Sequence, residues 1–222
     1  MEKLLRGIAR FQNDVYPKSQ ELFEQLATRQ EPETLYIGCS DSRVVPHLLL
    51  QTQPGDLFIC RNAGNIVPPW GDVVGGVSAT VEYGVQVLGV KHIVICGHSD
   101  CGAMRAALQP ERVQHFRAVS AWLHHAERVL AVVRETHPNL SEEAFLEVVI
   151  EENVDAQIHN LLTHPSVAAR VRAGTLQVHG MVYDIARGSV KVQDRETGRF
   201  ENVQRILERL EPAGGPTPDG GR

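Results

Sequence analysis

The chain has 222 residues, enough for one well-formed hydrophobic core or two small ones. Hydrophobic residues make up 42% and charged residues 22%, which is typical of a globular protein and excludes a disordered or fibrous chain. The formal charge of -5 gives no reason to expect a nucleic acid or an anionic membrane as a partner.

The first predicted unit is a helical arm over residues 1–30, broken into two segments near Pro17. Each segment carries an apolar stripe at helical spacing, made of Leu4, Leu5, Ile8 and Phe11 and then of Leu22, Phe23 and Leu26. This apolar surface predicts that the arm packs on another copy of the chain. The N-terminus lacks the apolar region of a signal peptide, and no run reaches the ~18 apolar residues of a membrane-spanning helix, which favours a cytoplasmic protein.

Strands then alternate with helices along the chain. Apolar runs predict strands at 34–38, 56–60, 92–96, 176–183 and 189–192. Helical spacing covers 74–88, and the stretch from 114 to about 172 is mostly helical. This alternation predicts an α/β fold with a largely parallel sheet, helices on both faces and a final antiparallel strand. Residues 1–210 form a single predicted domain, and the Pro- and Gly-rich residues 211–222 form a predicted disordered tail.

Two of these strands end in segments that are rich in possible metal ligands. CSDSR, residues 39–43, follows the first strand, and HSDCG, residues 98–102, follows the third. Sites in open α/β sheets form at the carboxyl ends of strands, so we expect both segments at one edge. Cys39, His98 and Cys101 form a ligand set suited to Zn²⁺. Three protein ligands leave a fourth position open, which is typical of a catalytic zinc site.

Asp41 and Arg43 belong to the same prediction. Asp41 is close enough to Cys39 in sequence to accept a hydrogen bond from hydroxide on the metal. Arg43 is placed to pair with Asp41 and keep it ionised. If Asp41 instead turned onto the zinc, it would become a fourth ligand and close the site.

Each feature alone also has an ordinary structural explanation. A cysteine at a strand end is more often a buried small residue than a ligand. Four neighbouring polar residues are of the types that cap helices: Ser40, Asp41, Ser99 and Asp100. Both strand ends carry the pattern, which favours the metal site. Cys60 and Cys96 lie inside apolar strands, where we expect core packing, and the non-ligand histidines are expected at the surface or in caps, except His179, which has no evident role.

CSDSR followed by GHSDCGAM resembles the β-class carbonic anhydrases. The similarity extends over QEPETLYIGCSDSRVVP, PGDLFICRNAGNIVPP, GGVSATVEYGVQVLGVKHIVICGHSDCGAM and the later HPSV and HGMVYDI, and so covers roughly residues 5–190. Bacterial members associated with cyanate metabolism are the subgroup that it is most similar to. The resemblance implies a four-stranded, mainly parallel sheet with an added strand, and a homodimer or dimer of dimers with exchanged N-terminal helices.

The resemblance also implies a reaction and a set of residues. The reaction is the reversible hydration of CO₂ to bicarbonate and a proton, by attack of zinc-bound hydroxide on CO₂ in an apolar pocket, with one Zn²⁺ per chain. Cys39, His98 and Cys101 match the zinc ligands, and Asp41 and Arg43 match a catalytic dyad. The other matches are Gln30 with a glutamine that reaches the neighbouring subunit's site, Phe58 and Tyr83 with the pocket lining, and the Gly102 backbone N–H with a substrate donor.

A subdivision of the family concerns access to the metal. Some members close the zinc with the aspartate at low pH and bind inhibitory bicarbonate at a Trp–Arg–Tyr trio. Arg61 and Tyr183 match two positions of this trio, but Tyr36 stands in place of the tryptophan. The PPWGDVVGG segment also resembles the branch that stays open. We therefore expect an open site at neutral pH, with Asp41 as a fourth ligand only conditionally.

Three alternatives remain at this point. A phosphatase would need a longer loop between its cysteine and arginine than Cys39 and Arg43 allow. A zinc ion that only stabilises the fold would want a fourth protein ligand. The same fold and metal acting on CS₂ or COS is left open by the sequence.

Overall fold

A six-stranded sheet organises the part of the chain that the structure, a computed structural model, describes, namely residues 1–71 and 75–210. The predicted tail at 211–222 lies outside the described residues. The strands are β1 (Thr34–Cys39), β2 (Leu57–Asn62), β3 (His92–His98), β4 (Gln177–Asp184), β5 (Ser189–Gln193) and β6 (Phe200–Asn202). Their spatial order is β2-β1-β3-β4-β5-β6.

The first four strands are parallel and the last two are antiparallel. β1 and β3 are almost continuously buried, as expected for parallel strands that helices cover on both faces. The predicted α/β class, with its parallel sheet and antiparallel edge, is confirmed. The edge has a further strand, β6, which was not predicted because three residues carry no readable alternation.

The described residues form ten α-helices: α1 (Glu2–Arg10), α2 (Gln20–Leu26), α3 (Pro46–Leu50), α4 (Gly76–Glu82), α5 (Gly102–Leu108), α6 (Arg117–Leu123), α7 (Glu127–Thr136), α8 (Glu142–Leu162), α9 (Pro165–Arg172) and α10 (Val203–Leu210). The main core lies between the sheet and α8, which packs on β3 and β4. A smaller cluster around Tyr36, Val94 and Cys96 covers the opposite face. Among the described helices, none combines the length and apolar character needed to span a bilayer.

Helix α8 also carries a row of polar side chains that hold the loop after β2. Asn153 Nδ2 donates to the Gly64 carbonyl at 3.0 Å, Gln157 Oε1 accepts from the Val67 N–H at 2.8 Å, and Asn160 Nδ2 donates to the Val67 carbonyl at 3.0 Å. Asn153 and Gln157 are fully buried, so these bonds satisfy groups that burial would otherwise penalise. The loop is thereby fixed to the core helix at Gly64 and at Val67.

The N-terminal arm has the predicted form, two helices joined by irregular turns around Pro17. No residue of α1 or α2 is buried, and Leu4, Leu5 and Ile8 remain more than half exposed. Three aromatic side chains hold the two segments together, with Tyr16 and Phe23 stacked at 5.4 Å and Phe11 against both rings. Packing of this arm on another chain stays a prediction.

The cysteines and histidines that were left outside the site have mixed outcomes. Cys60 and Cys96 are buried in the two apolar clusters, which confirms core packing, and burial raises the pKa of both thiols, that of Cys96 to about 11. His164 is the N-cap residue of α9, as expected for a capping position, but its side chain is buried and makes no cap bond, with Nε2 instead 3.0 Å from the Pro68 carbonyl oxygen.

His179 has a structural place at the amino end of the sheet. Its Nε2 lies 3.2 Å from His92 Nδ1, and the Arg195 guanidinium lies 3.2 Å from the same ring nitrogen. Burial, with the positive charges of Arg195 and His92 nearby, lowers the pKa of His179 from 6.5 to about 4. The folded protein therefore holds this ring neutral over a range in which an unfolded chain would protonate it.

This depressed pKa predicts a pH-dependent stability. Because the unfolded chain takes up the proton first, the stabilisation is complete above pH 6.5 and is lost as the pH falls towards 4. In His179→Gln the free energy of unfolding should fall less steeply over this range, by about 1 kcal/mol after solvent screening. Urea unfolding followed by circular dichroism at both ends of the range measures it, with the exposed His115→Gln as control. Equal slopes for His179→Gln and the wild type would contradict the assignment.

Candidate metal centre

The three predicted ligands meet at the carboxyl ends of β1 and β3. Cys39 is the last residue of β1, His98 is the last residue of β3, and Cys101 directly precedes α5. The two strands are paired in parallel, with Gly38 opposite Cys96, so their ends lie side by side. One ligand atom from each of the three residues lies within 4.8 Å of the others, and all three residues are buried.

His98 is oriented by its own loop. Nδ1 lies 3.0 Å from the Ser99 carbonyl oxygen, which assigns the proton to Nδ1 and leaves the lone pair on Nε2. Nε2 is fully buried and has no hydrogen-bond partner among the described residues. A buried acceptor without a partner is costly unless something binds it. An imidazole nitrogen beside two buried sulfurs is a donor set that fits a borderline metal such as zinc.

The two thiols of the group have pKa values that are shifted in opposite directions. The neighbouring Cys101 thiol and the hydrogen bond from the Gly64 backbone N–H lower the pKa of Cys39. Cys39 in turn raises the pKa of Cys101, because a second thiolate beside the first is disfavoured, and burial raises it further. A divalent cation among these atoms would favour the thiolate form of both residues.

Asp41 lies beside the ligand group and is held by Arg43. The guanidinium donates from Nε to Oδ1 at 3.0 Å and from Nη2 to Oδ2 at 2.8 Å, and the Arg43 backbone N–H donates to Oδ1 at 2.9 Å. These bonds hold the pKa of Asp41 well below its usual range. Asp41 Oδ2 lies 3.8 Å from His98 Nε2, yet within the described residues the group that could hold a metal contains only the two cysteines and the histidine.

Two further residues fix this arrangement, and sequence reasoning missed their roles. Asp100, in a left-handed conformation with φ of 52°, accepts from Arg43 through its carboxylate and through its carbonyl oxygen. Arg61 donates to the carbonyl oxygens of Cys39 at 2.8 Å and Asp41 at 2.7 Å. The available signal was the charge of these residues next to the motifs, but their partners depend on how the two loops meet.

The helix-cap explanation for the polar residues is wrong. Neither α3 nor α5 has a side-chain hydrogen bond at its N-cap, which is Val45 in the first case and Cys101 in the second. Ser99 instead accepts from the Ile185 backbone N–H at 3.0 Å and so joins this loop to the end of β4. The polar residues therefore shape the loops of the site.

The remaining predicted residues lie at different distances from the ligands. Gly102 follows Cys101 directly and begins α5. The Phe58 and Tyr83 rings contact each other, with centroids 5.8 Å apart. Asn62 is the strand partner of Cys39, and Phe58 lies four residues before Asn62, so Phe58 is roughly 13 Å along the strand from the level of Cys39. Gln30 is exposed at the end of the arm. A single chain therefore brings Gly102 to the ligands and keeps these other three residues apart from them.

An apolar groove of about 530 Å³ opens beside the ligand group. Its walls include Ala63, Gly102, Ala103, Ala106, Val119 and Trp122. Most of these side chains are small, so a small apolar molecule can approach the loop that carries Cys101.

The trio associated with inhibitory bicarbonate has a different environment here. Tyr36 is fully buried, and its hydroxyl has no partner among the described residues. Tyr183 packs on the same small cluster, while the Arg61 guanidinium is used by the two carbonyl oxygens of the Cys39–Asp41 loop. These contacts support the expectation that the trio is incomplete. The PPWGDVVGG segment includes residues 72–74, which lie outside the described residues.

Residues 34–190 match the carbonic anhydrase family, and this span includes both loops of the site, residues 39–43 and 98–102. The chain belongs to the β-class carbonic anhydrases. It is 51% identical over 203 residues to a carbonic anhydrase of Pseudomonas aeruginosa, covering 91% of this chain and 92% of the relative.

Solved structures agree with this assignment. The β-carbonic anhydrase CcaA is 39% identical with a TM-score of 0.89, over 91% of both chains. A tetrameric β-carbonic anhydrase from Sordaria macrospora is 33% identical with a TM-score of 0.74, over 90% of this chain and 98% of that one. The protein is thus an enzyme that hydrates CO₂, with a Cys–His–Cys group suited to a metal ion. The link to cyanate metabolism stays a prediction.

The Asp41–Arg43 geometry yields a test of the carbonic anhydrase. In Arg43→Lys a single ammonium cannot reproduce the fork that holds both carboxylate oxygens of Asp41. We expect the rate of CO₂ hydration to fall by about 10- to 100-fold with the fold intact. Arg187→Lys is the matched control, because it changes an Arg–Asp pair of 2.7 Å outside the site. Equal rates for the wild type and Arg43→Lys in stopped-flow hydration would count against a role for the fork.

Proposed function

We propose that the chain is a zinc enzyme in which Cys39, His98 and Cys101 hold one Zn²⁺ per chain. The observation that carries this proposal is the buried, unpartnered Nε2 of His98 beside two buried thiols. Two thiolates and a neutral imidazole balance the charge of the ion, and three protein ligands leave one position open. When bound, zinc supplies a Lewis acid that lowers the pKa of coordinated water, a role for which carbonic anhydrases are the standard example.

Asp41 is proposed to orient the attacking oxygen. Its Oδ2 is the carboxylate atom nearest to His98 Nε2, so it is placed to accept a hydrogen bond at the open position. Arg43 donates to both carboxylate oxygens and keeps Asp41 ionised. Asp41 would therefore act as a hydrogen-bond acceptor for the attacking oxygen and would not become protonated. The same fork supports an open site, because turning Asp41 onto the metal would require breaking these bonds.

CO₂ is proposed to bind in apolar surroundings close to Gly102, whose backbone N–H would donate to the substrate oxygen. No side chain narrows the space at Gly102, where an added Cβ would meet nothing within 4 Å. Phe58, Tyr83 and Gln30 are proposed to complete the pocket from the neighbouring subunit, since one chain keeps them apart from its own ligands. The hydrated product would be bicarbonate, and the released proton would leave to buffer.

The proposed assembly is a homodimer, or a dimer of such dimers, built by the N-terminal arm. The arm buries none of the residues of its two helices in its own chain, and its exposed stripe of Leu4, Leu5 and Ile8 continues to Phe11. One solved relative is described as tetrameric. A cytoplasmic location stays a prediction.

The pH profile of CO₂ hydration tests the proposed mechanism. Because Arg43 holds the pKa of Asp41 far below neutrality, we expect hydration to be fast from about pH 6.5 to about pH 9 in the zinc-loaded protein. Stopped-flow measurements with an indicator, together with metal analysis, give both the rate and the zinc content. Cys101→Ser should lose zinc and activity together.

Other outcomes separate the alternatives. Cooperative loss of activity below about pH 8 would show that Asp41 closes the site. Full zinc loading without hydration at any pH would favour CS₂ or COS as substrate, or a structural zinc. A fully active protein without zinc would overturn the proposal.

The arm gives a separate test. Leu4→Asn with Ile8→Asn removes two residues of the exposed stripe, so we expect the assembly to dissociate at concentrations where the wild type stays associated. Glu2→Asn with Arg6→Asn is the matched control, since it changes an exposed ion pair on the same helix. Light scattering measures the mass of each, and an unchanged mass for the first variant would contradict dimerisation through the arm.

A further inference from the structure

One peptide unit of the loop after β2 touches the ligand group. The Gly64 backbone N–H donates to Cys39 Sγ at 3.4 Å. Gly64 has φ of +82° and the next residue, Asn65, has φ of +47°, so the backbone turns sharply there to aim the N–H at the sulfur. An added Cβ on Gly64 would lie 2.9 Å from Met104 Cε and 3.1 Å from Ala103 Cβ, which shows that the loop is pressed against α5.

The opposite end of the same peptide unit is held by a tryptophan. Trp122 Nε1 donates to the Ala63 carbonyl oxygen at 2.8 Å. This carbonyl and the Gly64 N–H belong to one planar peptide group, so they cannot rotate independently. The hydrogen bonds therefore form a line from the indole N–H, through the peptide, to Cys39 Sγ. Hydrogen bonds in such a chain polarise one another, so a donor at the carbonyl strengthens the N–H as a donor.

Other contacts of this loop act on different peptide groups. Asn153 donates to the Gly64 carbonyl, which lies in the following peptide plane. Asn62 holds the backbone N–H and carbonyl of Ile66 through its side-chain amide. Among the described residues, the hydrogen bond to the peptide group that faces Cys39 comes from Trp122, which lies on α6 and is 59 residues away.

We infer that Trp122 is a positioning residue for the metal ligand Cys39, acting through the Ala63–Gly64 peptide. The inference rests on the proposed zinc site. Trp122 fixes the direction of the Gly64 N–H, and that N–H orients the Cys39 sulfur and withdraws electron density from it. Mutation of residues that hydrogen-bond to metal ligands, directly or through one further group, commonly changes metal affinity or activity.

A packing role for Trp122 makes a different prediction. Its ring forms part of the apolar groove and is partly buried. Trp122→Phe keeps an aromatic ring there and removes the N–H. If Trp122 served only for packing, this substitution would leave the metal affinity and the charge-transfer band unchanged. Trp70→Phe is the matched control, because it changes the chain's other tryptophan, which lies against His164 away from the ligands.

Cobalt substitution provides a readout at the sulfur itself. Co²⁺ is added to the metal-free full-length wild type and to both variants, and the thiolate-to-cobalt charge-transfer band and the Co²⁺ affinity, by competition with a chelator, are recorded. In Trp122→Phe we expect the band at lower energy, because the Gly64 N–H becomes a weaker and less well aimed donor to the sulfur once its peptide carbonyl loses the indole N–H. We expect a Co²⁺ affinity about 3- to 10-fold weaker, at the lower end of effects seen for such partners. Trp70→Phe should match the wild type in both.

Each result decides the inference. An unchanged band and affinity in Trp122→Phe would overturn it, and so would equal changes in both variants. A wild type that binds Co²⁺ without a thiolate band would instead overturn the proposed site. If Trp122→Phe does not fold, benzothienylalanine at position 122 in the Trp70→Phe background replaces the N–H by sulfur with little change of shape, and the same band and affinity are compared.

Discussion

The parallel pairing of β1 with β3 is the constraint on which the rest of the site depends. Gly38 lies opposite Cys96, so the two strands end together and Cys39 meets His98 without any long side chain having to reach. Parallel strands need a crossover between them, and here the chain from β1 to β3 forms β2 and α4 on the way. A change of one residue in this register would turn Cys39 to the other face of the sheet. Because β1 is almost continuously buried, such a change would be costly.

The ligand loops and the loop after β2 are held in two ways, by charged side chains on the exposed side and by neutral hydrogen bonds on the buried side. Arg43 joins the two loops by binding Asp41 in one and Asp100 in the other. Towards the core, amides of α8 and the indole of α6 hold backbone groups. Charged partners near solvent cost little desolvation, while neutral donors satisfy buried carbonyls without burying a charge. All of these hydrogen bonds join groups of the chain itself.

The sequence was sufficient for five of the six described strands and for the Cys–His–Cys group, because both depend on local patterns. Buried strands have continuous apolar runs, and Cys39, His98 and Cys101 lie in two short motifs at strand ends. The partners of Arg61 and Trp122 could not be predicted, since each bond joins residues that only the packed fold brings together. The contacts of the polar row on α8 could not be predicted either. Its spacing is that of an exposed helix face, yet the loop after β2 covers it. The proposed roles of Phe58, Tyr83 and Gln30 involve a second chain, and no local pattern specifies such a contact.

The closeness of the two ligand sulfurs has a consequence for the redox chemistry of the chain. Cys39 and Cys101 lie within 4.8 Å of each other and are both free thiols. A small movement of the loop before α5 would bring them to bonding distance, so an oxidant that reaches the metal-free protein can convert the pair to a disulfide. That bond would remove two of the three ligands at once. A bound cation, by occupying both sulfurs, acts as a protecting group that keeps them reduced.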